Sequence, residues 1–139
     1  MDINVSTVAE VIREEPLFEC KKKEDDFLKT EEETAELSSF IISTLKRIVH
    51  QYDSQAAIVL FGSRARGDYY QESDWDFIVL TSIEVTESLK ESIRRQVLYE
   101  IEFKTNQHIA TIFHNKEVWE QDYKITNLFK SIAEEGIVV

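Results

Sequence analysis

Two acidic residues separated by a single residue, Asp74 and Asp76, open the apolar run Asp74-Trp75-Asp76-Phe77-Ile78-Val79-Leu80. In an extended chain, alternate side chains share a face, so these carboxylates point the same way, roughly 6–7 Å apart at about 3.3 Å per residue. Two carboxylates converging on one face can hold a hard cation such as Mg²⁺. Upstream, the apolar run Ile58-Val59-Leu60-Phe61 ends in Gly62-Ser63. A Gly-Ser turn ahead of a helix N-terminus lets the backbone approach closely and offers N–H groups to a phosphate. A phosphate cradle beside a cation site suggests nucleotide chemistry. Arg64 and Arg66 follow the turn; they either touch phosphate or pair on the surface with Asp68 or Glu72.

These residues need elements to hold them. Thr30 and Glu33 form a capping-box pattern, and Glu31 and Glu32 suit the positive end of a helix dipole. Leu37, Phe40, Ile41, Leu45 and Ile48 then recur at helical spacing, which predicts a helix to about Tyr52. Ala57 to Phe61 reads as a first strand and Asp74 to Leu80 as a second. Residues 86–104 carry Leu89, Ile93, Val97 and Ile101 on one face of a second long helix. His108 to His114 alternates weakly and reads as a third strand. Asn115 is placed to cap a short helix through Trp119. Thr126 is placed to cap a last helix ending at Gly136 as its C′ residue.

Alternation of this kind predicts an α/β fold, a small mixed sheet with helices packed against it. The 11 residues from Ser63 to Ser73 sit at the lower limit for a parallel crossover between the first two strands. Trp75 and Phe77 face away from the aspartates and are expected in the core. Trp119, Tyr123, Leu128, Phe129 and Ile132 are expected to close the last helices over the sheet.

The chain of 139 residues is long enough for one domain with an ordinary core. Residues 1–29 differ from the rest. A short helical pattern (Val8, Val11, Ile12) ends near Pro16, and a charged run, Glu19 to Asp26, follows. This segment reads as an N-terminal arm, and residues 30–139 as the domain. The single cysteine, Cys20, excludes an intramolecular disulfide framework and fits a reducing compartment. No apolar run reaches the roughly 18 residues of a membrane span, and the first residues lack a signal-peptide pattern. A cytoplasmic location is the expectation. With 27 acidic and 16 basic residues, the net charge of −11 repels polyanions and argues against nonspecific nucleic-acid binding. A small nucleotide arriving with its Mg²⁺, or a basic protein, is still admitted.

The order Gly62-Ser63, ten residues, Asp74-x-Asp76 resembles the signature of minimal nucleotidyltransferases in the DNA polymerase beta superfamily. Arg64-Ala65-Arg66-Gly67 and Ser73 look like that family too, and the likeness covers roughly residues 30–139. It implies a nucleotidyltransferase fold and nucleotide binding by Gly62, Ser63, Arg64 and Arg66. It also implies that Asp74 and Asp76 are catalytic and hold Mg²⁺. The implied reaction is attack of an acceptor hydroxyl on the α-phosphorus of a nucleoside triphosphate, with ATP the first choice, and loss of pyrophosphate.

One departure matters. Active relatives usually place a third carboxylate on a following strand, yet His108 to His114 contains no Asp or Glu. Glu100 is a candidate substitute from the preceding helix, and His108 or His114 a candidate base. Several functions therefore stand. The first is a nucleotidyltransferase acting on a hydroxyl, including one on a partner protein. The second is an antitoxin-like module that binds a helical partner of the HEPN ribonuclease class, as in toxin–antitoxin pairs. The others are a homodimer that modifies a small molecule, like aminoglycoside nucleotidyltransferases, and a degenerate nucleotide binder.

Overall fold

The computed structural model describes residues 30–139; the arm expected over residues 1–29 lies outside the described residues. The first helix, α1 (Glu31–Tyr52), starts where its cap predicts. The Thr30 hydroxyl accepts the Glu33 N–H at 3.1 Å, satisfying one of the helix's orphan donors. At the other end the buried Asp53 carboxylate accepts the Ser82 N–H at 2.7 Å, the Ser82 hydroxyl at 2.6 Å and the Gln55 N–H at 3.1 Å. That cluster ties the end of α1 to the end of the second strand.

Among the described residues four strands make one sheet: β1 (Ala57–Phe61), β2 (Trp75–Thr81), β3 (Ile109–Asn115) and β4 (Ile137–Val138), in the order β3-β2-β1-β4. β1 runs antiparallel to both β2 and β4, and β2 runs parallel to β3, so the sheet is mixed as expected. The short α2 (Ser63–Arg66) and a loop join β1 to β2. This connection is too small for a parallel crossover, and the strands pair antiparallel instead.

Helices cover both faces. On one, Ile41, Leu45 and Ile48 of α1 pack with Ile58, Leu60, Trp75, Phe77 and Val79 of the sheet. Ile93 and Val97 of α3 (Glu87–Val97) complete that core. On the other, Val59 and Ile78 meet Trp119 of α5 (Lys116–Asp122) and Ile132 of α6 (Asn127–Glu135). Apolar cover on both sides explains why β2 reads as a nearly unbroken hydrophobic run. Trp75 and Phe77 are fully buried, as their parity predicts, whereas Leu128 is exposed and does not close over the sheet.

Two local features depart from the periodic reading. After Val97 the helix passes into a π-helical turn, Leu98–Glu102, then a last short turn, α4 (Phe103–Thr105). The wider turn shifts the phase of every later side chain. Ile101 stays buried, whereas Phe103, two residues on, is 67% exposed. Glu100 turns instead to Arg47 of α1, with which it forms an ion pair. The second feature is β4, whose two residues are too few to show a period. The helix before it does end at Gly136, but Gly136 has extended angles, φ −67° and ψ 144°, rather than the left-handed ones of a C′ glycine. What Gly136 supplies is space, because a Cβ there would strike the Ile132 carbonyl and the Val59 side chain.

Candidate functional site

The strand directions gather the chemistry at one end of the sheet. β1 ends where β2 begins, since Phe61 is the partner of Asp76. β3 begins at the same end, with Ala110 the partner of Asp76, and β4 starts there too, with Ile137 opposite Leu60. Gly62-Ser63, Asp74-Trp75-Asp76, the start of β3 and the last residue of α6 are therefore neighbours.

Gly62 and Asp76 are in the tightest relation. Gly62 takes φ 75° and ψ −159°, a region essentially restricted to glycine. A Cβ at this position would collide with Oδ2 of Asp76. The backbone turn and the carboxylate are thus pressed together by the β1–β2 ladder. Asp76 lies at the end of the face that carries Ile78 and Leu80, half-buried, while Asp74 precedes β2 and is exposed. Burial raises the Asp76 carboxyl above the ordinary carboxylate value, and the negative charge of Asp74 adds to this. Arg66 and His108 act in the opposite sense, and Glu135 raises it further.

The turn itself is narrower than the sequence suggests. The amides of Ala65 and Arg66 close on the Gly62 carbonyl at 3.1 and 3.0 Å, and Gly67 N–H on the Ser63 carbonyl at 2.8 Å. The Gly62 N–H donates to Glu135 Oε1 at 3.2 Å. Ser63 occupies the first helical position of α2, half-exposed, beside this contact.

The two arginines separate. Arg64 is buried, and its guanidinium lies over the rings of Tyr69 and Trp75, 4.2 and 4.4 Å from their centroids. It donates to the carbonyls of Gln71 and Ser73 at 2.9 and 3.2 Å and to the Gln107 side chain at 3.1 Å. Those bonds fold the loop that delivers Asp74, so Arg64 holds the site from beneath rather than facing a phosphate. Arg66 is at the surface and pairs with Glu135 at 3.2 Å and with Asp68 at 3.3 Å. Both partners raise its already high pKa, Glu135 through its hydrogen bond most strongly.

Glu135 is a member of this cluster that sequence reasoning missed. It lies 73 residues from Gly62, and only the pairing of β4 with β1 brings it close. Of the candidate bases, His114 is far from the aspartates. It pairs with Leu80 and stacks with Trp119 and Tyr123, and burial lowers its pKa.

Residues 42–138, well over half of the chain, match a family model described as a nucleotidyltransferase domain. The chain belongs to this family. Among curated proteins, none matches the chain. Membership agrees with the Gly-Ser…Asp-x-Asp spacing and with the mixed sheet, and it supports nucleotidyl transfer as the general function. No helix among the described residues is long and apolar enough to cross a membrane.

The family generally uses Mg²⁺, and the donor set at this site is of the right kind. Asp74 and Asp76 offer hard carboxylate oxygens, and their mutual repulsion, with partial burial of Asp76, favours a cation between them. Among the described residues no group of three His, Cys, Asp or Glu side chains is arranged to hold a metal. A cation here would rest on two carboxylates and complete its shell with water and phosphate, as Mg²⁺ commonly does.

Proposed function

We propose that this protein transfers a nucleoside monophosphate from a Mg²⁺-bound nucleoside triphosphate, ATP first among the candidates, to a hydroxyl acceptor. The observation that carries the reading is the close approach of Gly62 to Asp76, which sets a glycine turn suited to phosphate directly against a carboxylate suited to a metal. Ser63 would present its hydroxyl and amide to the triphosphate, and Asp74 and Asp76 would hold its metal. Arg66, at the rim, would meet the outer phosphates on leaving Glu135. Arg64 keeps the Asp74 loop in place. Bound Mg²⁺ would neutralise charge on the triphosphate as pyrophosphate leaves.

On this reading the acceptor hydroxyl would belong to a partner protein. A second reading is an antitoxin-like or degenerate module that binds a HEPN-type helical partner without transferring nucleotide. The observation favouring it is Ala110, which stands beside Asp76 where a third carboxylate would be expected. A cytoplasmic location suits either reading.

Titration calorimetry with ATP, with and without Mg²⁺, tests the site on wild type and on Asp74→Asn/Asp76→Asn. Binding that needs Mg²⁺ and disappears in the double variant is expected. Mg²⁺-dependent binding that survives in the double variant would refute the assignment of the aspartates.

A further inference from the structure

β3 runs beside the two aspartates, and its register shows which side chains it brings to them. Ala110 is the partner of Asp76, on the same face, and supplies no proton acceptor. His108 lies two residues earlier, just ahead of β3. Its carbonyl accepts the Trp75 N–H at 2.9 Å, the bond that opens the β2–β3 ladder at Trp75 and Ile109, and the register carried back one residue sets His108 alongside Asp74. The two-residue period puts the imidazole on the face shared by Ala110 and Asp76. It is near enough for its charge to act on the Asp76 carboxyl.

The ring is held by one nitrogen. Glu102, at the end of the π-helical turn, places Oε2 2.9 Å from His108 Nδ1 and accepts the Ile109 N–H at 2.9 Å with the same oxygen. An ionised carboxylate only accepts, so Nδ1 carries the hydrogen, and in the neutral ring Nε2 presents its lone pair. The Glu102 side chain is 20% exposed and that of His108 is 64% exposed. The anchor is sheltered, and the imidazole is open to an acceptor arriving from outside.

We infer that His108 takes the proton of the acceptor hydroxyl, in place of the carboxylate that β3 lacks at Ala110, and that Glu102 is its positioning residue. The inference rests on the nucleotidyl-transfer reading above. In the step, the acceptor O–H proton passes to His108 Nε2 as the oxygen bonds the α-phosphorus. The bond from that phosphorus to the bridging oxygen breaks, and pyrophosphate leaves with the electron pair. The charged groups at this end of the sheet are Glu102, which holds the imidazole, and Asp74, Arg66 and Glu135, which act with His108 on the Asp76 carboxyl.

The test uses the full chain and Mg²⁺-ATP labelled at the α-phosphate, with water, the protein's own hydroxyls and peptides bearing serine, threonine and tyrosine as acceptors. Binding is measured separately by calorimetry. His108→Gln is expected to bind Mg²⁺-ATP within about 3-fold of wild type and to lower kcat by about 100-fold or more, the usual span for loss of a general base. Glu102→Gln should lower kcat by less, with KM unchanged. Ala110→Asp returns a carboxylate to the face of Asp76, so Ala110→Asp/His108→Gln should regain turnover that His108→Gln alone has lost. A purely structural histidine would show no such rescue.

Unchanged turnover in His108→Gln overturns the inference, and so does loss of its Mg²⁺-ATP binding, which would make the residue a ligand or a strut. Wild type that binds Mg²⁺-ATP yet forms neither labelled product nor pyrophosphate between about pH 6 and 9 overturns it too, while leaving the binding site intact. Absence of Mg²⁺-ATP binding in wild type would instead refute the reading on which the inference rests.

Discussion

Replacing Gly62 by alanine tests the geometry that places the turn against Asp76. Two costs add. The backbone at φ 75° and ψ −159° is strained for any residue with a Cβ, which costs about 1–3 kcal/mol. The new methyl also meets Oδ2 of Asp76, and overpacking of this kind typically costs a further ~1–3 kcal/mol. The sum is roughly 2–6 kcal/mol. For a chain of this size, each kcal/mol lowers Tm by about 3–5 °C. Urea unfolding followed by tryptophan fluorescence reads the loss directly, because Trp75 is fully buried one residue from the contact. The second cost depends on the carboxylate and the first does not. In an Asp76→Ala background the same alanine should therefore cost only the backbone part, and the double-mutant cycle should return a coupling of about 1–3 kcal/mol. A loss below about 0.5 kcal/mol, or an equal loss in both backgrounds, would refute the claim that Gly62 is needed to make room for Asp76. Calorimetry on the same variant should show Mg²⁺-dependent ATP binding weakened along with stability.

Three further outcomes follow from the same structure. Asp76→Asn should raise Tm at neutral pH while removing ATP binding: the folded state raises this carboxyl above its ordinary value of 3.8, so ionisation works against the fold. The gain should be absent below about pH 3.8 and grow as pH rises through the raised value, measured by thermal melts across pH; a destabilised variant at pH 7 would refute it. Asp53 is the opposite case: burial pushes its carboxyl up, but hydrogen bonds from Ser82, Gln55 and Ile83 outweigh this and leave it lowered. Its contribution is present above the ordinary value of 3.8 and is lost as pH falls through the lowered one, so Asp53→Ala should cost about 1–3 kcal/mol at pH 7 and much less in strong acid. Arg64→Met should destabilise by roughly 2–4 kcal/mol, since it strips the Gln71 and Ser73 carbonyls of their donor, and should expose the loop to limited proteolysis; wild-type protease resistance would argue against its strut role.

Much of the fold was legible in the chain because the signals are local. The caps at Thr30, Asn115 and Thr126 each accept backbone N–H groups of the next turn, as their residue types predict. The strands around Leu60 and Phe77 carry enough apolar residues to be read without any knowledge of their neighbours. The spacing from Gly62-Ser63 to Asp74 and Asp76 also sits in one short stretch, because a strand, a turn and the next antiparallel strand can be written consecutively. Tertiary structure alone decided the rest. Whether Arg64 faces a phosphate or folds beneath the loop depends on Tyr69, Trp75 and Gln107, which no spacing rule links to it. The outward swing of Phe103 follows from a single π-helical turn that the apolar period does not encode. Glu135 joins the site through the pairing of a two-residue strand, and Ala110 and His108 take their places through the register of β3 on β2. Sequence fixes local conformation through contacts a few residues apart. The charges that gather around Asp76 come from positions as far apart as 66 and 135, and only the packed sheet can bring them together.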